Sequence, residues 1–363
     1  MNINEILNLM GKYPILIIAT ILIIFVIFIN GWTDAPNAIA TCISTKAIRP
    51  RAAVIMAAVF NCIGVVTMFF ISHATADTIA NMVDFGSNYV TALNALCAGM
   101  IGVVLWGILA WVFGIPSSES HALIAGLTGA GLAAMTFGIK DVSIPFTPTS
   151  GWALTIYGLV LSCVFGFVVG YLLTNLIKLI CRKMNRNKTR PFFKWAQIAS
   201  GAGMAYVHGA QDGLKFMGVL FLAIQLAGKA DGSIAGDAII SVDNGFWYLA
   251  LIVALIMGLG TSIGGYRIIK KVGMGMVSLE QYEGFATDLT SAIGIFLSTF
   301  LGIPVSTTQV KSFSIIGVGS SKSIRHVNWN VVKEMLLTWL FTFPGCGLIG
   351  YIFGLIFIKA FGG

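Results

Sequence analysis

The chain has 363 residues, of which 57% are hydrophobic and 10% charged, and its formal net charge is +8. A soluble domain carries about 25% charged residues, so a water-facing globular fold is excluded and most of the surface must face lipid. Apolar runs of helical length recur along the chain, whereas a transmembrane barrel shows alternating segments of roughly ten residues. We therefore expect an all-α polytopic membrane protein.

Ten apolar stretches follow one another, and a membrane span needs about 20 residues. They fall at 14–45, 52–74, 91–113, 120–137, 152–177, 195–227, 246–266, 285–301, 307–318 and 331–359. Two parts of the chain, 91–137 and 285–318, turn back at a Gly-Ile-Pro sequence. Each is therefore predicted to form a helical hairpin, either re-entrant or fully spanning.

The basic residues lie in short loops between these stretches, which argues against a nucleic-acid surface. One side of the membrane receives Lys46, Arg49, Arg51, Lys178, Arg182, Lys183, Arg186, Lys188, Arg190, Lys194, Arg267, Lys270, Lys271, Lys322, Arg325 and Lys333. The other side receives Lys12, Lys140, Lys229 and Lys359. Because cytoplasmic loops are rich in Lys and Arg, the first side is predicted to be cytoplasmic and both termini to lie outside the cell.

This topology predicts two inverted repeats. The first covers 1–180 and the second 195–363, with 181–194 as a basic cytoplasmic linker. Such repeats, with broken helices and with hairpins that meet at the membrane midplane, are typical of secondary transporters.

A charge lies inside the first apolar stretch. Gly31 frees the backbone and Pro36 removes a helical hydrogen bond, so a helix break is predicted here. A loosened turn offers carbonyl oxygens beside Thr33, Asp34 and Asn37, and these hard ligands suit Na⁺ or a proton-bearing carboxylate. Charges in lipid tend to mark ion paths. The alternative is a structural kink with a hydrogen-bonded aspartate.

The second half holds a similar element, in which Gln211 and Asp212 lie between two glycines. It is expected to loosen in the same way. Lys215 follows Asp212 by one helical turn, so the two can pair. The lysine either completes a neutral structural ion pair or presents positive charge to an anion. If Na⁺ is the coupling ion, Asp34 and Asp212 are its predicted ligands.

Each predicted hairpin carries a proline followed by hydroxyl residues at its tip, which is typical of a helix start. The tips are Pro116-Ser117-Ser118-Glu119-Ser120-His121 and Pro304-Val305-Ser306-Thr307-Thr308-Gln309. A helix N-terminus exposes unpaired N–H groups and favours anions. Two tips from opposite sides can enclose one oxyanion; the alternative is ordinary Ser/Thr packing in a bundle. The predicted substrate ligands are Ser117, Ser118, Ser120, Ser306, Thr307, Thr308 and Lys215.

At these motifs the chain resembles the inorganic phosphate transporter (PiT) family, over essentially its full length. The resemblance rests on Asn37-Ala38-Ile39-Ala40-Thr41, on His208 to Lys215, and on Pro304-Val305-Ser306-Thr307-Thr308, while the run from Arg51 to Gly64 is similar to the bacterial low-affinity branch. The resemblance implies symport of inorganic phosphate with cations, and it places Asp34, Asn37 and Asp212 at cation-coupling positions.

The resemblance adds two residues to the predicted site, and the chain departs from the family pattern at four positions. Asp288 stands where relatives carry a glutamate, which adds it to the cation-coupling set. Lys311 stands where some relatives carry a lysine, which adds it to the substrate-binding set. The departures are Thr33 and Gln211 for signature asparagines, Glu119 for a threonine-like residue, and Gln309 for a histidine. They leave the identity of the coupling ion open.

The predicted function is import of phosphate, free or as a metal–phosphate complex, with H⁺ or Na⁺ by alternating access. Sulfate transport by the same fold is an alternative, although sulfate cannot donate a hydrogen bond to Glu119 as phosphate can. An anion channel is an alternative of another class, and no enzyme motif is present. The expected location is the cell membrane. The expected partners are phosphate, a cation and lipid, without a cofactor or nucleic acid, and a homodimer stays open.

Overall fold

The computed structural model describes residues 3–115, 117–139, 141–234 and 246–361. Pro116, in the first predicted hairpin tip, and Lys140, in a loop of the predicted topology, lie outside these residues. The described helices are α1 Ile3–Lys12, α2 Pro14–Thr33, α3 Pro36–Ser44, α4 Pro50–Ile71, α5 Ala74–Ala80, α6 Tyr89–Val112, α7 Glu119–Thr136, α8 Gly151–Cys181, α9 Arg186–Asp231, α10 Trp247–Ile263, α11 Tyr266–Gly275, α12 Gln281–Phe300, α13 Thr307–Ser320 and α14 Trp329–Phe361. The strands β1 Asp84–Phe85 and β2 Val142–Ser143 form one short antiparallel pair.

Each of the ten predicted apolar stretches is helical. Six helices in the described part of the chain are long and apolar enough to cross a membrane, and α10 with the segment after it, bent by 71°, would make a seventh. Large apolar side chains such as Val160, Leu172, Leu340 and Leu348 are exposed along α8 and α14. Exposed apolar surface on this scale marks a face that meets lipid. The protein is therefore a helical multi-pass membrane protein, as the composition predicted.

The predicted helix break near Asp34 is present. α2 ends at Thr33 and α3 begins at Pro36, the position where a proline's missing N–H costs a helix nothing. The backbone N–H of Asp34 still donates to Asn30 O (2.8 Å). Asp34 thus lies at the junction between two helices.

The expected loosening near Asp212 is wrong, because α9 runs without a break from Arg186 to Asp231. The neighbouring glycines serve close packing instead. A Cβ at Gly209 would overlap the carbonyl oxygen of Asn61 on α4, and a Cβ at Gly213 would crowd Val65. A proline would have removed a helical hydrogen bond, but no proline lies between Gly209 and Lys215.

The helices pack in matched pairs between the two halves of the chain. α2 contacts α10 while α9 contacts α4, and α7 packs on α14 while α13 packs on α8. The turn that precedes α7 and the turn that precedes α13 each use one left-handed glycine, Gly114 (φ 63°) and Gly302 (φ 68°). Such a φ suits glycine because it has no Cβ.

The two largest apolar cores of the described residues leave a polar boundary between them. α2 contributes Ile27 to one core and α3 contributes Ile39 to the other; likewise Phe216 and Met204 of α9 belong to different cores. In the sequence, Asp34 lies between Ile27 and Ile39, and Asp212 lies between Met204 and Phe216. Both aspartates therefore lie at the boundary.

Candidate functional site

The Asp34 carboxylate is buried and is held by hydroxyl and amide groups. Its Oδ1 accepts from Thr308 Oγ1 (2.6 Å) and from Asn37 Nδ2 (3.2 Å), and Asn37 Nδ2 also donates to Thr308 Oγ1 (3.0 Å). Within the described residues Asp34 forms no salt bridge, so its charge is not matched by a direct basic partner.

The Asp212 carboxylate is buried within a denser network. Its Oδ1 accepts from Lys215 Nζ (2.8 Å), and its Oδ2 accepts from Asn30 Nδ2 (3.1 Å) and Thr307 Oγ1 (3.4 Å). His208 Nε2 lies 3.4 Å from Oδ2. The predicted pairing of Lys215 with Asp212 is confirmed.

Lys215 connects both hairpin tips to α9. Besides Asp212, its ammonium group donates to Ser120 Oγ and to the backbone oxygen of Val305, each at 2.6 Å. An ammonium group has three donors and all three are used. Because Ser120 and Val305 belong to different tips, this one side chain ties both tips to the helix that carries Asp212.

The two segments predicted to be hairpin tips touch each other. Ser118 is the N-cap of α7 and accepts from His121 N, and Ser306 is the N-cap of α13 and accepts from Gln309 N. The hydroxyls of Ser118 and Ser306 lie 2.8 Å apart, so one donates to the other. Two helix N-termini thus converge beside both aspartates, an arrangement suited to an anion.

A hydrogen-bond chain orients His208. Thr261 Oγ1 donates to Met257 O and accepts from Asn61 Nδ2, which leaves Asn61 Oδ1 as the acceptor facing His208 Nδ1 (3.2 Å). Nδ1 must therefore carry the proton, and Nε2 faces the carboxylates. Asp34, His208 and Asp212 each offer an atom within 4.8 Å of the others. These three residues could hold a cation together.

Three predicted residues point elsewhere. The Thr33 hydroxyl donates to Ile29 O on its own helix (2.9 Å). Gln211 donates to Ile303 O (3.1 Å) and accepts from Thr299 Oγ1, so it holds the second tip against α12. Ser117 is buried, and its described contact is a backbone bond from its N–H to Ile115 O (2.8 Å).

Asp288 and Lys311 form a second buried pair, separate from the central aspartates. They are in direct contact, and Thr41 Oγ1 donates to Asp288 Oδ1 (2.5 Å). Lys311 also reaches Thr41 Oγ1 (3.2 Å) and Ala38 O (3.5 Å) on α3. The pair thus joins α3, α12 and α13 one turn beyond Asn37.

Glu119 lies beside the site, but its carboxyl group turns away from the tips. It is buried, and neither of its oxygens accepts a hydrogen bond from a described residue. A Cβ on Gly107 would lie 2.8 Å from Glu119 Oε1 and equally close to Ile29. The carboxyl therefore rests against α6 and α2, a geometry that gives no support to phosphate donating to Glu119.

Sequence reasoning missed two asparagines at the site. Asn30 donates to Asp212, and Asn61 orients His208; both are fully buried in otherwise apolar helices. The available signal was an amide residue inside an apolar run, which is costly in lipid unless it has a partner. The sequence did not show which partner each asparagine would meet.

Comparison with known proteins decides the family. The sequence profile of the phosphate transporter family matches residues 30–350. The chain belongs to the phosphate transporter family. This membership confirms the resemblance, and it makes the chain a transporter rather than an enzyme.

The relatives align over nearly the whole chain. A probable low-affinity inorganic phosphate transporter of Bacillus subtilis is 38% identical over 342 residues, which is 93% of this chain and 97% of the relative. A relative of the same description from Rhizobium meliloti is 34% identical over 337 residues, covering 93% and 95%. A solved structure described as the sodium-dependent phosphate transporter superposes with a TM-score of 0.82 at 22% identity, covering 96% of this chain and all of that one. It shares the fold.

Proposed function

We propose that this protein imports inorganic phosphate together with a cation, H⁺ or Na⁺, by alternating access. The single observation that carries this proposal is the convergence of two helix N-termini with two buried aspartates at one polar boundary. Phosphate is the transported anion named in the descriptions of the bacterial relatives. The structural neighbour is described as sodium-dependent, which makes Na⁺ a natural first ion to test.

The repeat proposal is supported by the paired packing of the helices. Residues 1–180 and 195–363 would be inverted repeats, joined by the linker 181–194 at the cytoplasmic face of the cell membrane. Under a pseudo-twofold axis, contacts should occur in pairs, and the α7–α14 contact is matched by the α13–α8 contact. The two tips would then meet at the membrane midplane, where such transporters bind their substrates.

In this proposal phosphate binds at the contact between the tips. Unpaired N–H groups at the start of α7 and α13 would face it, with hydroxyls of Ser118, Ser120, Ser306 and Thr307 around it. Hydroxyls both donate and accept, so they match a phosphate that still carries a proton. Lys215, already bonded to both tips, would supply positive charge.

In this proposal the coupling cation binds between Asp34 and Asp212. The amide oxygens of Asn30 and Asn37 have no hydrogen-bond partner among the described residues, so they are free to act as ligands. A cation there would neutralise carboxylates that are otherwise expensive in lipid. It would also favour phosphate nearby, and by linkage phosphate would favour the cation equally.

Reconstitution into liposomes tests this function. Uptake of labelled phosphate is measured under an imposed Na⁺ gradient and then under an imposed pH gradient. We expect one of them to drive accumulation, and we expect Asp34→Asn and Asp212→Asn each to lower it at least about tenfold, a change of about 1.4 kcal/mol in the barrier. Asp84→Asn, at the exposed position of strand β1, is the matched control. The site assignment fails if both variants keep uptake and its cation dependence. Suppression of uptake by excess sulfate would reassign the anion.

A further inference from the structure

A polar stripe leads away from the central site along α3. Asn37, Thr41 and Thr45 follow one another at intervals of four residues, which places them on one face of the helix. The stripe begins beside Asp34, and Thr45, the C-cap residue of α3, lines a cavity of about 680 Å³. The central site is thus connected to an open cavity by hydroxyl and amide groups.

The other half of the chain has no matching stripe. At the same spacing after Asp212 stand Lys215, Val219 and Ala223, and the last two are buried apolar residues. When the halves are aligned through Gly114 and Gly302, the counterparts of Asp288 and Lys311 are Met100 and Leu123, both in the apolar core. Polar side chains therefore continue away from the site along α3, whereas the corresponding positions of the other half are apolar.

The stripe is closely packed against its walls, and glycines make this close approach possible. Cys42 Sγ lies 3.5 Å from Asp288 Oδ2, and glycine stands opposite on both facing helices, as Gly201 on α9 and Gly284 on α12. A Cβ at Gly201 would overlap Cys42 Sγ. Because Asp288 is paired with Lys311, the stripe does not present an unopposed negative charge to a passing anion.

Gln197 of α9 closes the stripe at its cavity end. It is completely buried, and its Oε1 accepts from Thr45 Oγ1 (2.9 Å). In this orientation Nε2 has no hydrogen-bond partner among the described residues, and it packs where a Cβ on Gly284 would overlap it. Thr45 Oγ1 has a single proton and also contacts Thr41 O as a donor (2.9 Å), so the Gln197 amide bonds to Thr45 in either orientation and leaves its other polar atom without a partner. A buried polar atom without a partner is unfavourable, which favours the binding of a ligand by this amide.

The cavity beyond Gln197 favours anions. Lys178, Arg186 and Arg190 line it, and Glu280 is its acidic lining residue, already bonded to Arg186 (2.8 Å). The N-terminal turn of α9 borders the same space, whereas the first turn of α12 is already capped by the carboxylates of Glu280 and Glu283. The excess of two cations and the α9 N-terminus would lower the energy of an anion that arrives from the stripe.

We propose that inorganic phosphate passes between the central site and this cavity along the α3 stripe, and that Gln197 is a phosphate-binding residue on that path. The amide donates to phosphate in transit, and between passages it closes the path by its bond to Thr45. This proposal rests on the function proposed above.

Phosphate exchange tests the donor role. Proteoliposomes loaded with unlabelled phosphate take up labelled phosphate by exchange, which needs no imposed gradient. Gln197→Glu keeps the shape but replaces a donor with a negative charge, and we expect exchange to fall at least about tenfold. Gln197→Asn keeps the amide and should stay within about threefold. Gln225→Glu, on the same helix, is the matched control and should behave as wild type.

Three exchange results would overturn the proposal. The first is unchanged exchange in Gln197→Glu. The second is faster exchange in that variant, which would indicate a cation path. The third is equal loss in Gln197→Glu and Gln197→Asn, which would make Gln197 structural. Failure of wild-type exchange would instead refute the proposed function.

Cys42 offers a second readout that does not depend on transport. In detergent, with Cys181→Ala to remove the thiol that lines the cavity, an anionic methanethiosulfonate is added and Cys42→Ala gives the background. We expect Gln197→Ala to speed Cys42 labelling at least about tenfold, and inorganic phosphate to slow it. Labelling that Gln197→Ala leaves unchanged, or that phosphate does not slow, contradicts a path closed by Gln197.

Discussion

Two buried lysine–aspartate pairs occupy different regions of this molecule. Lys215 and Asp212 lie three residues apart on α9, so their pairing requires no tertiary contact. Lys311 and Asp288 come from α13 and α12, so they meet only when these helices pack. The first pair also contacts both hairpin tips, whereas the second contacts α3. The same kind of ion pair thus lies at the centre of the site in one region and attaches helices to one another in the other.

The partners of each pair explain the difference. Asp212 receives hydrogen bonds from α2, α9 and α13, so it reports on the arrangement of both halves. Asp288 receives them from α3, through Thr41 and Cys42, and from Lys311. Breaking a buried ion pair costs more than replacing both partners together, because one partner alone leaves an uncompensated charge. Substitutions of one or both partners can therefore separate the two roles.

The largest effect is expected for Lys215→Met. It removes the charge that balances Asp212 and breaks the bonds to Ser120 and Val305, so the first tip loses its bond from Lys215 and the second tip keeps only its bonds to Gln211 and Asp212 of α9. We expect the free energy of unfolding to drop by about 3–5 kcal/mol and phosphate exchange to fall at least about a hundredfold. Thermal unfolding in detergent and liposome exchange measure the two effects. Lys229→Met, at the end of the same helix, is the control, and near-normal exchange in Lys215→Met would remove this lysine from the site.

A smaller effect is expected when both partners of a pair are replaced by leucine. The free energy of unfolding of the double variant Asp288→Leu with Lys311→Leu should lie within about 1–2 kcal/mol of the wild-type value. Apolar replacement of a buried pair is often nearly neutral. Exchange should fall about tenfold, since Thr41 loses its partners on the stripe. Asp212→Leu with Lys215→Leu should recover stability but no exchange. Equal residual exchange in the two double variants would erase the functional distinction between the pairs.

The sequence predicted the helices and the central residues better than it predicted their partners. Apolar length and the proline at 36 are local signals, so the ten helical stretches and the break at Asp34 could be read directly. The unbroken α9 could not, because Gly209 permits close packing as readily as it permits a break. Asn30, Asn61 and Gln197 gain meaning only from neighbours more than a hundred residues away, and no local pattern encodes such contacts.

The smallest effect is expected from Thr33 and Gln211, which replace the two signature asparagines. Among the described residues the Thr33 hydroxyl donates to Ile29 O on its own helix, so Thr33→Ala should change stability by less than about 1 kcal/mol and leave exchange within about twofold. Gln211 holds the second tip through Ile303 O and Thr299, so Gln211→Ala should cost about 1–3 kcal/mol and slow exchange several-fold. Thermal unfolding and exchange on both variants measure this inequality. Equal effects would show that Thr33 and Gln211 have equivalent roles in the two halves. Unequal effects would show that Asp34 and Asp212, although similar in sequence setting, are held by different neighbours.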